Sequence, residues 1–152
     1  EGPGSCLWVA LTYVLEPPTL GEQKSKAAQL GIKRLMEAGV QPSIIACRCM
    51  NPVNEKVREK LALYTNVPIE RVFSMHDCES IYVIPELIRD AGLDSEVVRY
   101  LDIGDRCDDE QFAARSAEWA DYIAGIRRVQ TGEKTLSIGI TGKYTAVRDS
   151  YA

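Results

Sequence analysis

Histidine occurs once in this 152-residue chain, phenylalanine twice, and neither sign of charge dominates. A single imidazole cannot build a histidine-rich metal set. Cys47-Arg48-Cys49 is too tightly spaced for the usual zinc half-site, and no second cysteine pair supports it. A net charge of −4, with a pI of about 5.1, excludes a general polyanion-binding surface, so nucleic acid is not an expected partner and any phosphate site must be local. The longest apolar run, Leu7 to Leu11 extended through Thr12 to Leu15, is far short of a membrane span. The opening Glu-Gly-Pro-Gly-Ser has no basic region of the kind that starts a signal peptide. The five cysteines are odd in number and sit mostly in apolar or strand-like settings, which predicts reduced thiols in a cytoplasmic protein rather than a disulfide framework.

What is present is ordinary globular material, 45% hydrophobic and 26% charged, enough for one domain with a real core. The chain lacks a starting Met and stops at "RDSYA", so it is expected to be a piece of something longer.

"CLWVALTYVL" (6–15) is a nearly continuous apolar and β-branched run, the pattern of a strand buried on both faces. Residues 24–38 have helical spacing, with Ala28, Ile32, Leu35 and Met36 on one stripe and Gly39 as the stop. A short buried strand follows at 42–49, then a helix at 54–64 with Val57, Leu61 and Tyr64 on one side. A third strand is predicted at 70–75, and a helix at 84–93 that "SEVVRYL" continues. This alternation predicts an α/β fold with an open parallel sheet.

From 102 the texture becomes polar and acidic. Phe112, Ser116, Trp119, Ile123 and Ile126 then recur at helical spacing, predicting one amphipathic helix fit to lie on another surface. "VQTGEKT" reads as a linker and residues 136–144 as the start of another strand, with a domain boundary near 130. "GITGKYT" is not a phosphate loop, because Ser137 and Tyr144 occupy positions that need Gly and Ser or Thr.

Two stretches carry candidate chemistry. Lys24 and Lys26 stand where a crossover loop meets a helix N-terminus, so free backbone amides add to their charge, and Gln29 can offer a carboxamide to a base or sugar. The same residues also read as a solvated basic helix start partnered by Glu22. In "SMHDCESIY" (74–82), His76, Asp77 and Cys78 follow the third strand, where ligands of open α/β sheets gather. Adjacent residues of an extended segment point apart, so His76 and Asp77 are not expected to relay a proton. An ordinary polar loop is the other reading. Lys60, taken alone, has a stem that snorkels past its apolar neighbours.

Together, "GEQKSKAAQ", "GVQPSIIACRC", "VREKLALYTNVP", "VFSMHDCESIYVIPELIRDAGLD" and "IGITGKYTAVRDSYA" resemble the CTP synthase family in order and spacing. The resemblance is dense over 20–95 and resumes at 136–152. It implies a glutamine-dependent ligase that forms a C–N bond, converting UTP to CTP at the expense of ATP, with Mg2+ as its metal.

On the family's pattern, residues 1–100 would be the C-terminal part of a synthetase domain of the P-loop NTPase and dethiobiotin-synthetase type. Residues 101–134 would be a helical linker, and 135–152 the first strand of a glutamine amidotransferase domain. The uridine-nucleotide motif, usually Lys-Thr-Lys-Pro-Thr-Gln, falls on Lys24, Ser25, Lys26, Ala27, Ala28 and Gln29, with Lys60 as a further lysine for UTP or the product CTP. The adenine segment for ATP falls on His76, Asp77 and Cys78, with Arg48 near the same nucleotide.

The resemblance also implies a homotetramer, with filaments as a further assembly. It implies that the phosphate loop, the acidic Mg2+ ligands and the amidotransferase triad lie outside these residues, so the piece alone should be inactive and none of its cysteines is a nucleophile. Ala27 and Ala28 depart from the motif's proline and threonine. One lost neutral hydrogen bond costs on the order of 1 kcal/mol, which weakens UTP binding rather than abolishing it. A catalytically silent nucleotide-binding or assembly module of the same lineage is the alternative, and an unrelated doubly wound domain is a second.

Overall fold

The computed structural model describes residues 4–19, 21–132, 136–139 and 141–143. Strands β1 (Val9–Tyr13), β2 (Ile44–Cys49) and β3 (Val72–His76) form a parallel sheet in the order β1-β2-β3. Helices α1 (Lys26–Glu37) and α2 (Glu55–Thr65) are the two crossovers. Both step the same way across the sheet, and since such connections take one hand, both helices come to lie on one face. There Ala28 and Ile32 of α1 and Val57 and Leu61 of α2 meet Ala10, Ile45, Cys47, Cys49 and Val72 in a single core.

Local chemistry sets the ends of these helices. Gly39 takes φ +84°, and the Val40 amide reaches back to the Leu35 carbonyl at 3.0 Å, closing α1. Asn54 caps α2 by accepting from the Val57 amide at 3.0 Å. From α2, Arg58 donates through Nε to the Val72 carbonyl (3.1 Å) and through Nη2 to the Ile69 carbonyl (3.0 Å), fastening the helix to the start of β3.

Some expectations require correction. β1 is not buried on both faces: Ala10 faces the core, whereas Val9, Leu11 and Tyr13 point the other way and are exposed, Leu11 by 72%. The reason is topological, since β1 is an edge strand and both crossover helices lie on the opposite face. Leu35, placed on the apolar stripe of α1, is exposed. The single helical run expected over 84–101 breaks into α3 (Ile84–Asp90) and α4 (Leu93–Leu101), because Gly92 adopts φ +77° between them. Residues 136–139 and 141–143 form no strand, while residue 140 and residues 144–152 of that expectation lie outside the described residues. Leu136 and Ile138 are exposed, and among the described residues no strand lies beside them to form a ladder.

The long helix α5 (Asp109–Gln130) forms as its spacing predicts. Trp119 donates its indole N–H to the Tyr82 carbonyl at 3.0 Å, and Tyr82 and Tyr122 pack edge-on at 5.7 Å. Ile123 of the same helix is buried, and Arg127 pairs with Glu79 at 2.7 Å. The helix thus rests on the turn that follows β3. Phe112, the first residue of the predicted stripe, stays exposed. No helix among the described residues is long and apolar enough to cross a membrane.

Cys47 and Cys49 are fully buried. Burial pushes the Cys47 thiol up to about 12, and burial likewise raises that of Cys49. At pH 8 Cys47 would stay in the unreactive thiol form. Iodoacetamide at pH 8 should therefore label the exposed Cys6 and Cys107 within minutes and leave Cys47 unmodified until the protein is denatured. Peptide mapping by mass spectrometry reads this out. Labelling of native Cys47 as fast as Cys107 would contradict its placement in the core.

Candidate functional site

The site begins where β1 ends. The Lys24 amide donates to the Leu15 carbonyl at 2.7 Å in an isolated antiparallel bridge. That bridge closes the intervening loop and holds Lys24 beside the carboxyl end of β1. Ser25 follows as the N-cap of α1, buried but making no side-chain capping bond; its Oγ instead accepts from Gln29 Nε2 at 2.9 Å. Lys26 opens the helix.

The facing wall belongs to α2. Lys56, Lys60 and Tyr64 are spaced four apart, so they share one line along the helix. Between the walls lies a cavity of about 370 Å³ bordered by Lys24, Lys26, Lys56, Lys60 and Tyr64, with Ser25 and Gln29 also on its surface. Four ammonium groups thus converge on one hollow of an acidic protein.

They are partly answered from within. Glu22 forms an ion pair with Lys24. That hydrogen bond, then the positive charges of Lys24, Lys56 and Lys60, hold its carboxyl below the usual carboxylate range. The ion pair expected of a solvated helix start therefore exists, and it lies exposed at the rim of the cavity.

The other nucleotide-site expectations separate. Ala27 is exposed and Ala28 is packed into the core beside Ile32, and neither side chain borders the cavity. The reason is helical geometry, since at this start of α1 the next two positions turn away from Lys26. Tyr64 is not on the buried side of α2 with Val57 and Leu61; it is 66% exposed at the cavity edge. Lys60 lines the same hollow, beside its apolar neighbours Val57 and Tyr64.

His76 belongs to β3 itself, not to the loop after it. The structure brings Arg48 and Asp77 together as an ion pair at the carboxyl ends of β2 and β3, with Arg48 Nη1 also donating to the Cys49 carbonyl at 2.6 Å. His76 turns the other way. Its Nδ1 lies 3.2 Å from Ser74 Oγ, and it borders a second hollow of about 400 Å³ with Arg58, Glu70 and Asp90. Adjacent His76 and Asp77 diverge, as an extended backbone requires. Cys78 donates its thiol to the Ser80 carbonyl at 3.1 Å.

Sequence reasoning missed Lys56, although its spacing from Lys60 is a readable signal. It also missed Gln23, whose contacts are long-range and leave no local trace. Among the described residues no group of three or more His, Cys, Asp and Glu could hold a metal ion.

An open parallel α/β sheet with crossover helices on one face and a lysine-lined hollow beyond the carboxyl end of a strand is the architecture of a ligand-binding α/β domain. The chain belongs to the CTP synthase family: the family profile described as CTP synthase N-terminus matches residues 1–103. It is 36% identical over 151 residues to the CTP synthase of Pyrococcus abyssi, covering 99% of this chain and 26% of that protein. It is 35% identical to the CTP synthase of Pyrococcus furiosus over 151 residues, with the same 99% and 26% coverage. It is also 35% identical to that of Azospirillum brasilense over 150 residues, again covering 99% of this chain and 26% of the relative. The chain therefore spans about a quarter of the length of the curated relatives it matches.

Proposed function

We propose that this chain is the part of a CTP synthase that grips the polyphosphate of a uridine nucleotide, UTP as substrate or CTP as competing product. The observation that carries this reading is the convergence of Lys24 and Lys26, from the loop before α1 and its first turn, and of Lys60, from α2, on one cavity. Ammonium groups on opposite walls suit a flexible, multiply charged chain of phosphates better than a single small anion. Ser25 and Gln29, already bonded to each other, supply neutral polar contacts to the same ligand. Ala27 and Ala28 do not border the cavity, so their replacement of proline and threonine removes no side-chain contact from it.

The second nucleotide, ATP, is assigned to the carboxyl ends of β2 and β3, where Arg48, Asp77 and Cys78 offer donors and acceptors to an adenine edge and His76 flanks them. The parent reaction is amination of UTP to CTP with ammonia from glutamine. Its physical demand is to hold two triphosphates in register and neutralise their charge. Mg2+ would accompany the nucleotides, but the described residues do not fit a metal site, so no step is assigned to one here.

In this reading the sheet is part of a synthetase domain related to P-loop NTPases and dethiobiotin synthetase. α5 is the linker to an amidotransferase domain, and the active assembly is a cytoplasmic homotetramer. This stretch alone makes no CTP.

Isothermal calorimetry tests the reading in the intact protein. UTP and CTP should each bind and compete, and inorganic tripolyphosphate should displace both. Trp8 sits at the amino end of β1 near Pro42 and Tyr100, away from the lysines, so calorimetry is a better reporter than its fluorescence. Absence of heat for both nucleotides at millimolar concentration would sink the assignment.

A further inference from the structure

We infer that Gln23 is the positioning residue that sets the gap between the two lysine walls of the cavity, an inference that rests on the proposed polyphosphate site. Lys24 and Lys26 come from the loop before α1 and its first turn, Lys56 and Lys60 from α2, and the two walls are separate stretches of chain. Their spacing must be fixed by something other than local helix geometry.

Gln23 lines the cavity between the walls, and its carboxamide spans their junction, its polar atoms already taken up by the α2 side. Its Nε2 donates to the Pro52 carbonyl at 3.0 Å and lies 3.4 Å from the Asn51 carbonyl. Its Oε1 accepts from the Asn54 amide at 2.9 Å. Asn54 is the N-cap of α2, so this bond holds the very start of the helix that carries Lys56 and Lys60. Glu16 supports the junction from beneath, accepting from Asn51 Nδ2 at 3.0 Å and from Gln23 Nε2 at 3.5 Å.

The chemistry selects glutamine. Donor and acceptor must sit on one group, and the group must reach across two loops. Glutamate keeps an acceptor for Asn54 but sets a carboxylate against the Pro52 and Asn51 carbonyls. Asparagine is one methylene short and can satisfy one side only. Methionine fills the volume and makes neither bond.

A nucleotide that touches one wall is indifferent to the gap, whereas a triphosphate spanning both is sensitive to it. The intact protein carrying Gln23→Met should therefore bind UTP about tenfold more weakly, with UMP affinity changed by less than twofold. Gln23→Asn should fall between wild type and Gln23→Met. If Gln23→Met melts more than about 10 °C below wild type, the UTP and UMP comparison is made on Gln23→Asn.

Unchanged UTP binding in the variant overturns the inference and leaves the polyphosphate site standing. Equal losses for UTP and UMP also overturn it, since they signal general loosening rather than a changed gap. Failure of wild-type protein to bind UTP at all is the distinct result that removes the site itself.

Discussion

Alanine at Lys26 in the intact protein raises the half-saturating UTP concentration by roughly 10–100-fold, with the value for glutamine moving less than twofold. A hydrogen bond between a charged group and phosphate is worth about 1.5–3 kcal/mol, and each 1.4 kcal/mol is tenfold in affinity. Lys26 should show the effect at its fullest because no carboxylate forms an ion pair with it among the described residues, whereas Lys24 is already engaged by Glu22. The phosphate must compete with that carboxylate for Lys24, although an exposed ion pair of this kind contributes little. The expected order of loss is therefore Lys26→Ala and Lys60→Ala first, Lys24→Ala smaller. Steady-state kinetics with UTP and glutamine varied in turn measure both parameters. Equal effects on the two substrates would remove Lys26 from the nucleotide site.

Leu61→Ala should be the most damaging single change in the region, at about 2–5 kcal/mol of unfolding free energy. Leu61 is fully buried, at 0% exposure, where α2 packs against the sheet, and the truncation opens a cavity that neighbouring Val57 and Val72 cannot fill. Its near neighbour Leu63 is 81% exposed, so Leu63→Ala should cost under about 0.5 kcal/mol. Urea titration followed by circular dichroism separates them. The pair also tests function, because Lys60 stands one residue from Leu61 on the same helix. A folded Leu61→Ala protein should show weaker UTP binding, while Leu63→Ala binds normally. Comparable stabilities for the two variants would mean that α2 is not seated as described.

Part of this architecture was legible before any coordinates. The cores of β2, α1 and α2 follow directly from periodicity, because Ile45, Cys47, Ala28, Ile32, Val57 and Leu61 repeat at strand or helix spacing. Gly39 announced its role as a helix stop through conformational preference. β1 misled for a physical reason. Hydrophobicity records that a surface is meant to be covered, but not by what, and Leu11 looks identical in sequence whether its face is packed or open. Gly92 misled because a glycine inside an apolar pattern can be carried through a helix or can end it.

The candidate site divides along the same line. That Lys24 stands just before the helix that Lys26 opens is a short-range fact of sequence, and that Lys56 and Lys60 share a helical face is dictated by 3.6-residue geometry. That the two pairs surround one hollow is not local at all. It depends on parallel strands placing two crossover helices side by side, and on Gln23 reaching across to the start of α2. Residue order sets which side chains neighbour one another along an element, because backbone sterics act over a few residues. Only packing brings distant elements to within bonding distance, since that choice belongs to the whole buried core and to no segment alone.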